Sequence, residues 1–287
     1  MRLFVFDDFR LGVLGRDGTL QDVSALVPSG LPKLDRMTAL IASWPEVADA
    51  VAEAADRTGG AAIDTVTVRA PQPRPSKIVA APVNYRAHQE EMGGQAGVYP
   101  GASIATIETY IGFCKAPSSI VGPDGAIRLP ATDARVDHEA EVGIVIGPGA
   151  ARAVAREEAL DFVFGYVPLL DITMRGAADR SFRKSFDTFT PIGPAIVTAD
   201  EVAEPAAIDF RLTVNGELRQ RGSTRDLIYD LPHLVEVYSA AMTLEPGDLI
   251  ASGTPEGVAE LHAGDLVRLT IDGIGELTMA VEAGSVS

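Results

Sequence analysis

The segment RVDHEAEVGIVI, residues 135–146, joins an acidic beginning to a continuous apolar end. Successive side chains on a β-strand point to opposite faces, so Asp137, Glu139 and Glu141 are expected to share one face. The residues that follow, 142–146, carry no polar side chain, which is typical of a buried strand. The pattern therefore predicts a strand that brings three carboxylates to the edge of a protein core.

Burial of these carboxylates would require a counter-charge. On a strand, the Cα atoms of Glu139 and Glu141 are about 7 Å apart. Carboxylates this close that lose their hydration must bind a cation or take up a proton. A strand face in contact with solvent is the alternative interpretation. His138 points to the opposite face, where we expect a packed or hydrogen-bonded imidazole.

Another carboxylate follows the next buried strand. The apolar segment 166–170 ends in Asp171, and Arg175 comes four residues further along. With Glu139 and Glu141, Asp171 offers oxygen ligands and no sulfur, a set that suits a hard cation such as Mg²⁺ or Mn²⁺. The sequence thus indicates a candidate site for a divalent metal.

Strands separated by glycine and proline turns dominate the remaining chain, which favours a strand-rich α+β fold. Further strands are predicted over residues 2–6, 10–14, 77–81, 210–214, 249–251, 266–271 and 276–281, with a two-residue hairpin at Asn215-Gly216. Helices are predicted over residues 34–41, 47–54, 156–164 and 232–241. The proline-rich residues 71–75 predict a linker between a small N-terminal α+β lobe, 1–70, and a main domain, 76–287.

Composition excludes several classes of function. Lysine and arginine total 24 against 40 acidic residues, and the net charge of −16 disfavours binding to nucleic acid or to an anionic membrane. Asp7 and Asp8 come too early for a signal peptide, and no apolar run approaches the roughly 18 residues of a membrane span. The single cysteine, Cys114, allows no internal disulfide. We expect a cytoplasmic protein that handles a small molecule.

A second candidate cluster is His88-x-x-Glu91. On a helix these two side chains face the same way. A carboxylate beside an imidazole fixes its tautomer and raises its basicity, as in a base that activates water. A surface ion pair is the alternative. The glycine-rich residues 92–101 that follow are typical of a mobile lid.

Two loops add candidate binding groups. Lys184 lies among small and apolar residues in 183–194, where its ammonium could enter a site. Thr254 lies in 252–258, a loop whose amides and hydroxyls could hold a carboxylate. A surface loop and a plain turn are the respective alternatives.

Taken in order, these motifs resemble the fumarylacetoacetate hydrolase family. The matching segments are Asn84-Tyr85-x-x-His88-x-x-Glu91, Lys115-Ala116-Pro117-Ser118-Ser119-Ile120, Asp137-x-Glu139-x-Glu141, Asp171-x-x-x-Arg175, Lys184-Ser185-Phe186-Asp187-Thr188-Phe189 and Gly253-Thr254-Pro255-Glu256-Gly257-Val258. They fall within residues 77–258, nearly all of the main domain. The resemblance implies a mixed β-roll catalytic domain and usually a homodimer.

The resemblance also implies a role for each motif. The metal would be held by Glu139, Glu141 and Asp171, water would be activated by His88 and Glu91, developing negative charge would be stabilised by Lys184, and the substrate would be held by Arg175 and Thr254. Many members follow the arginine with an aspartate and, two residues later, a glutamine. Here the run is Gly176-Ala177-Ala178, a departure that bears on the identity of the substrate.

The expected reaction is hydrolysis of a carbon–carbon bond in an acylpyruvate or similar β-diketo acid, in the breakdown of aromatic compounds or sugar acids. The metal would stabilise the enolate that leaves. A 2-oxo acid decarboxylase or isomerase, acting on oxaloacetate or a hydroxymuconate, is an alternative that uses the same site. A catalytically silent ligand-binding relative is a further alternative, and the presence of both His88 and Glu91 argues against it.

Overall fold

The computed structural model describes residues 1–94 and 106–284, so most of the predicted lid, 92–101, lies outside the described residues. The strands are β1 (Arg2–Phe6), β2 (Arg10–Leu14), β3 (Leu20–Asp22), β4 (Ile78–Ala80), β5 (Phe113–Lys115), β6 (Ile120–Val121), β7 (Ala126–Leu129), β8 (Val136–Asp137), β9 (Ala140–Ile146), β10 (Val163–Leu170), β11 (Thr173–Met174), β12 (Thr190–Pro191), β13 (Ile196–Thr198), β14 (Asp209–Val214), β15 (Glu217–Ser223), β16 (Leu249–Ala251), β17 (Leu266–Ile271) and β18 (Gly275–Ala283). The α-helices are α1 (Arg36–Ala42), α2 (Trp44–Ala55), α3 (Arg86–Gly94), α4 (Ile107–Tyr110), α5 (Arg180–Arg183) and α6 (Leu231–Ala241). Across the described ranges, no helix is long and apolar enough to cross a lipid bilayer.

A nine-stranded mixed sheet forms the centre of the protein, in the order β3-β2-β1-β13-β10-β9-β16-β4-β5. β9 lies between β10 and β16 and runs antiparallel to both, whereas β4 is parallel to β16. Every residue of β9 and β10 is buried, which accounts for their apolar sequences. The carboxyl ends of β4, β10 and β16 therefore meet the beginning of β9 at one edge of this sheet.

Both faces of the nine-stranded sheet are covered. On one face, Leu40 of α1 belongs to the same apolar cluster as Val145 of β9. On the other, Ile144 of β9 shares a cluster with Leu269 of β17 and Tyr238 of α6. β17 is part of a five-stranded sheet in the order β15-β14-β17-β18-β7. Charged residues at the edge of the central sheet are consequently held away from water.

The N-terminal strands continue the central sheet, because β1 pairs antiparallel with β13. In the segment 71–75, the side chain of Gln72 is buried and donates a hydrogen bond to the carbonyl oxygen of Gly247 at 2.8 Å. This segment thus packs against the main domain. The boundaries of the lobe, the linker and the catalytic domain stay a prediction.

The strand-rich α+β fold is confirmed, with two local differences from prediction. The strand predicted over 136–146 is interrupted at His138 and Glu139, because β8 pairs with β11 while β9 pairs with β10. At the interruption the chain therefore passes from the two-stranded sheet of β8 and β11 into the central sheet. The helix predicted over 156–164 is instead a run of 3₁₀ turns over Arg156–Phe162. The Asn215-Gly216 hairpin joins β14 and β15, as predicted.

Candidate active site

Three carboxylates meet at the edge of the central sheet where β9 begins. Glu141 lies on β9, Glu139 just before it, and Asp171 directly after β10. All three are buried, and one oxygen from each lies within 4.8 Å of the others. Oxygens on opposite sides of one Mg²⁺ are about 4.2 Å apart, so a small inward movement of the carboxylates would let one cation contact all three. The alternative of a solvent-exposed strand face is wrong, because both faces of the sheet are covered.

Two buried lysines neutralise part of this cluster. Lys184 donates to Glu139 at 2.7 Å and to Asp171 at 2.5 Å. Lys115, for which no role is predicted, donates to Asp171 and to the carbonyl oxygen of Phe189. Glu141 forms no ion pair with any side chain in the described ranges. The cluster therefore holds one carboxylate without a cationic partner from the described chain.

Arg175 joins this cluster to a further carboxylate. Its Nε donates to Asp137 at 2.7 Å, and its Nη2 donates to Glu139 at 3.0 Å. Asp137 also accepts from Arg135 at 2.6 Å. Arg175 is thus held in place by carboxylates of the same sequence motif that supplies the candidate metal ligands.

The two glutamates of the motif have opposite pKa shifts. Burial raises the pKa of Glu139, but Lys184 and Arg175 outweigh it and hold the pKa well below its usual range. Burial, together with repulsion from Asp171, raises the pKa of Glu141 well above its usual range. An added cation would reverse the second shift and allow all three carboxylates to ionise. The donor set and its charge therefore fit a divalent metal.

The loop 252–258 holds Glu141 through a backbone group. The N–H of Gly253 donates to the Glu141 carboxylate at 2.7 Å. Gly253 has φ +98°, and a Cβ at this position would lie 2.7 Å from the Cβ of Asn84. Asn84 in turn donates to the carbonyl oxygen of Ser252 at 2.8 Å. The backbone of this loop therefore binds the carboxylate of Glu141, a candidate metal ligand of the protein itself.

His88, which is buried, and Glu91, which is partly exposed, form a hydrogen-bonded pair on α3. Nδ1 of His88 lies 3.1 Å from Glu91, whose other carboxylate oxygen accepts from the N–H of Gly257 at 3.0 Å. Burial raises the pKa of Glu91, but the hydrogen bonds from His88 and Gly257 lower it by more. The pKa of Glu91 is therefore below its usual value. Because an ionised Glu91 accepts a hydrogen bond from Nδ1–H of His88, Nε2 of His88 carries no proton and can act as a base. The alternative of a surface ion pair is wrong, since His88 is only 4% exposed.

A buried glutamine, Gln220, orients Thr254, and no sequence motif predicts it. The side-chain oxygen of Gln220 accepts from the N–H of Ala140, so its amide nitrogen must be the group that donates to the hydroxyl of Thr254 at 2.8 Å. The Thr254 proton is then free to point elsewhere. The same oxygen lies 3.0 Å from Nδ1 of His138, which is buried and hydrogen-bonded as predicted.

A small cavity of about 30 Å³ lies between these groups. The predicted site residues that line it are His88, Glu139, Glu141, Arg175, Lys184 and Thr254. Glu91 and Asp171 are hydrogen-bonded to His88 and Lys184, respectively, and so stand behind the lining. The structure brings all eight predicted residues together. It adds Phe113, Arg180 and Arg183, for which no role is predicted, and Met92, the first residue of the predicted lid.

Comparison with known proteins gives matches along the whole chain. A family model described as fumarylacetoacetate (FAA) hydrolase C-terminal matches residues 77–282. Maleylpyruvate hydrolase of Aquipseudomonas alcaligenes is 38% identical over 294 residues, covering 99% of this chain and 100% of the relative. The crystal structure of maleylpyruvate hydrolase from Sphingobium sp. SYK-6, in complex with manganese(II) and pyruvate, is 41% identical, with a TM-score of 0.86 and coverage of 99% and 100%. An oxaloacetate tautomerase of Bacillus subtilis is 38% identical over 229 residues, 75% of this chain and 73% of the relative.

Proposed function

The chain belongs to the fumarylacetoacetate hydrolase family, and we propose that it is a divalent-metal-dependent hydrolase that cleaves the carbon–carbon bond of an acylpyruvate. The family that its motifs predict is thereby confirmed. Two full-length relatives are hydrolases of maleylpyruvate, which is itself an acylpyruvate, and they support this class of reaction. Mg²⁺ and Mn²⁺ are the proposed metals, and breakdown of aromatic compounds is the proposed context.

One observation carries this proposal. Glu139 and Glu141, two of the three clustered carboxylates, line the same small cavity as His88, whose Nδ1 is held by Glu91. A bound divalent cation supplies positive charge beside the oxygens of a 2-oxo acid and stabilises negative charge that develops there. A metal site and a water-activating base on one cavity are the two components that hydrolysis of an acylpyruvate requires.

The side chains of this protein have separate parts in the reaction. Nε2 of His88 removes a proton from water, while Glu91 stabilises the resulting imidazolium. The water oxygen bonds to the distal carbonyl carbon, and the bond from that carbon to the methylene breaks. Its electron pair stays on the pyruvate fragment, and the proton returns to the methylene carbon. One water is consumed, and the products are pyruvate and the acid of the acyl group.

Lys184, Arg175 and Thr254 are proposed to receive the pyruvate end of the substrate. An ammonium has three donors, and Lys184 uses two of them on Glu139 and Asp171. Its remaining N–H is available to stabilise negative charge on the substrate. The Thr254 hydroxyl accepts from Gln220, so its own proton can be donated to a substrate oxygen.

The test is the ultraviolet absorbance of a simple acylpyruvate with metal-stripped protein, before and after Mg²⁺ or Mn²⁺ is added. We expect metal-dependent loss of the enol band, with pyruvate and the matching acid as products. His88→Ala should lower kcat by roughly 100-fold or more and leave metal binding unchanged. Equal trace activity in both proteins would instead indicate a catalytically silent relative.

The tautomerase of Bacillus subtilis motivates a second candidate, tautomerisation or decarboxylation of oxaloacetate. These reactions need no attacking water. An unchanged acylpyruvate band, combined with metal-dependent conversion of oxaloacetate, would replace the first candidate with the second.

We further propose that the protein is a cytoplasmic homodimer. The acidic composition and the single cysteine support the location, and the family resemblance supports the dimer. Light scattering of the purified protein measures the mass directly, and a monomer at all concentrations would contradict this assembly.

A further inference from the structure

Two arginines on the short helix α5 line the cavity, and the reaction as derived gives them no part. Arg180 and Arg183 are three residues apart, a spacing that places side chains on the same side of a helix. Like charges at this spacing repel each other. A pair of cations in the lining of a cavity therefore indicates that an anion is expected between or beside them.

Neither arginine has a carboxylate partner among the described residues. Arg183 donates to the carbonyl oxygen of Met174 at 3.2 Å, which is a neutral acceptor. The guanidinium of Arg180 lies over the ring of Tyr110 at 4.7 Å from the ring centroid. Its Nη1 is buried and has no hydrogen-bond partner in residues 1–94 and 106–284. Burying such a donor is unfavourable unless a ligand completes its hydrogen bonds.

The other cations of the cavity are already paired. Arg175 contacts Asp137 and Glu139, and Lys184 contacts Glu139 and Asp171. The chain as a whole has a net charge of −16, so two cations that lack a carboxylate partner in the described part of the chain stand out against its acidic composition. The charge of α5 is therefore not neutralised by any carboxylate of the described residues.

We propose that Arg180 and Arg183 bind a second carboxylate, at the far end of the substrate's acyl arm. The preferred substrates are then acylpyruvates whose acyl group ends in an anion. An arginine can hold a carboxylate through two parallel hydrogen bonds, which gives orientation as well as affinity. The inference rests on the proposed function, because that function places the pyruvate end of the substrate at the carboxylate cluster.

Equilibrium binding tests this subsite without any turnover. 2-Oxoheptanedioate and 2-oxoheptanoate have the same chain length, but only the first ends in a second carboxylate. Neither has the distal carbonyl group that hydrolysis requires. In calorimetry with Mn²⁺ present, we expect the wild-type protein to bind the dianion about 10- to 100-fold more tightly than the monoanion.

Arg180→Gln and Arg183→Gln should each remove most of this difference. Both variants should bind 2-oxoheptanoate as the wild type does, which also shows that they are folded. Arg16→Gln is the matched control, since Arg16 is exposed and pairs with Asp56 far along the chain from α5. Equal affinity of the wild type for the two acids would overturn the proposal, as would variants that weaken both acids alike.

A parallel activity measurement separates this inference from the proposed function. The wild type should hydrolyse an acylpyruvate with a neutral arm more slowly than one whose arm ends in a carboxylate, and Arg180→Gln should reduce this ratio of rates. Failure to hydrolyse either compound would contradict the proposed function. The binding measurement would still decide whether α5 recognises a distal carboxylate.

Discussion

Charged side chains occupy two regions of the molecule in different ways. We call the group of Glu139, Glu141 and Asp171 the site edge. The ion pairs there are buried: the side chains of Lys184 and Glu139, which form one of them, are each 6% exposed. On the outer face, the solvent-facing side of the five-stranded sheet, Arg268 and Glu276 lie 3.4 Å apart and are about half exposed.

The difference follows from the surroundings of the strands. From residue 267 to residue 271, β17 alternates buried apolar residues with polar residues that are at least partly exposed, whereas β9 is buried along its entire length. Charges in water interact weakly because solvent screens them, whereas buried charges interact strongly and require partners. Substitutions at the site edge should therefore have large effects, and equivalent substitutions on the outer face should have small ones.

The largest effect is expected for Glu139→Ala. This change removes a candidate ligand and leaves Lys184 and Arg175 without one of their carboxylate partners. We expect loss of Mn²⁺ binding and a fall in kcat/KM of roughly 1,000-fold or more. Metal titration by calorimetry checks it, and unchanged stoichiometry would remove Glu139 from the ligand set.

A smaller effect is expected for Gln220→Leu, which connects the two regions. Gln220 belongs to β15 of the five-stranded sheet, yet its side chain is buried against Thr254 and His138. Without it, the N–H of Ala140 loses its acceptor, at a cost of about 1–3 kcal/mol in stability. We expect kcat/KM to fall by roughly tenfold, because the Thr254 hydroxyl is no longer held in one orientation.

Gln220→Glu provides the contrast for this prediction. It keeps an acceptor for Ala140 but removes the N–H that donates to Thr254. If Gln220 acts by orienting Thr254, both variants lower activity, whereas only the leucine variant loses the hydrogen bond to Ala140. Full activity in Gln220→Glu would show that the contact with Thr254 has no part in turnover.

The sequence predicts the carboxylates, His88 and Lys184 of the site, but it does not predict the role of Gln220. The alternating carboxylates of 137–141 and the apolar run behind them predict a buried acidic strand, and the motifs around His88 and Lys184 predict the same site through the family resemblance. Gln220 gave no such signal, because a glutamine in a polar strand is typical of a solvated face. Its burial depends on how two distant sheets pack, which strand periodicity does not encode.

The interruption of the predicted strand has a similar origin. Alternation alone places Glu139 and Glu141 on one face, but the chain changes pairing partner between them. Lys115 is another case: it pairs with Asp171 across 56 residues, a contact that sequence spacing does not reveal. Long-range pairing of strands therefore sets the part of the site that could not be predicted.

Unlike the substitutions above, Glu141→Gln is expected to raise the melting temperature of the metal-stripped protein. The pKa of Glu141 in the folded protein is raised by burial and by Asp171. Its contribution to stability is therefore present below the ordinary glutamate pKa and is lost as the pH rises through the raised value. Glutamine carries no charge, so at pH 8 the variant should melt higher than the wild type by roughly 5 °C.

Two further conditions sharpen this prediction. Near pH 4.5, the ordinary glutamate value, the wild-type carboxyl is protonated and the two melting temperatures should converge. Added Mn²⁺ should stabilise the wild type more than the variant, because the metal neutralises Glu141. A difference in melting temperature that does not depend on pH would contradict the unpaired-carboxylate interpretation.

The smallest effect is expected for Arg268→Gln on the outer face. The variant removes a cation from Glu276, just as a change of Lys184 would remove one from Glu139, but here both partners are about half exposed. Exposed pairs contribute little, so the free energy of unfolding should change by less than about 0.5 kcal/mol, and kcat/KM should stay at the wild-type value. Chemical denaturation at low and high salt measures this directly. A loss as large as that at the site edge would mean that exposure does not set the difference between the two regions.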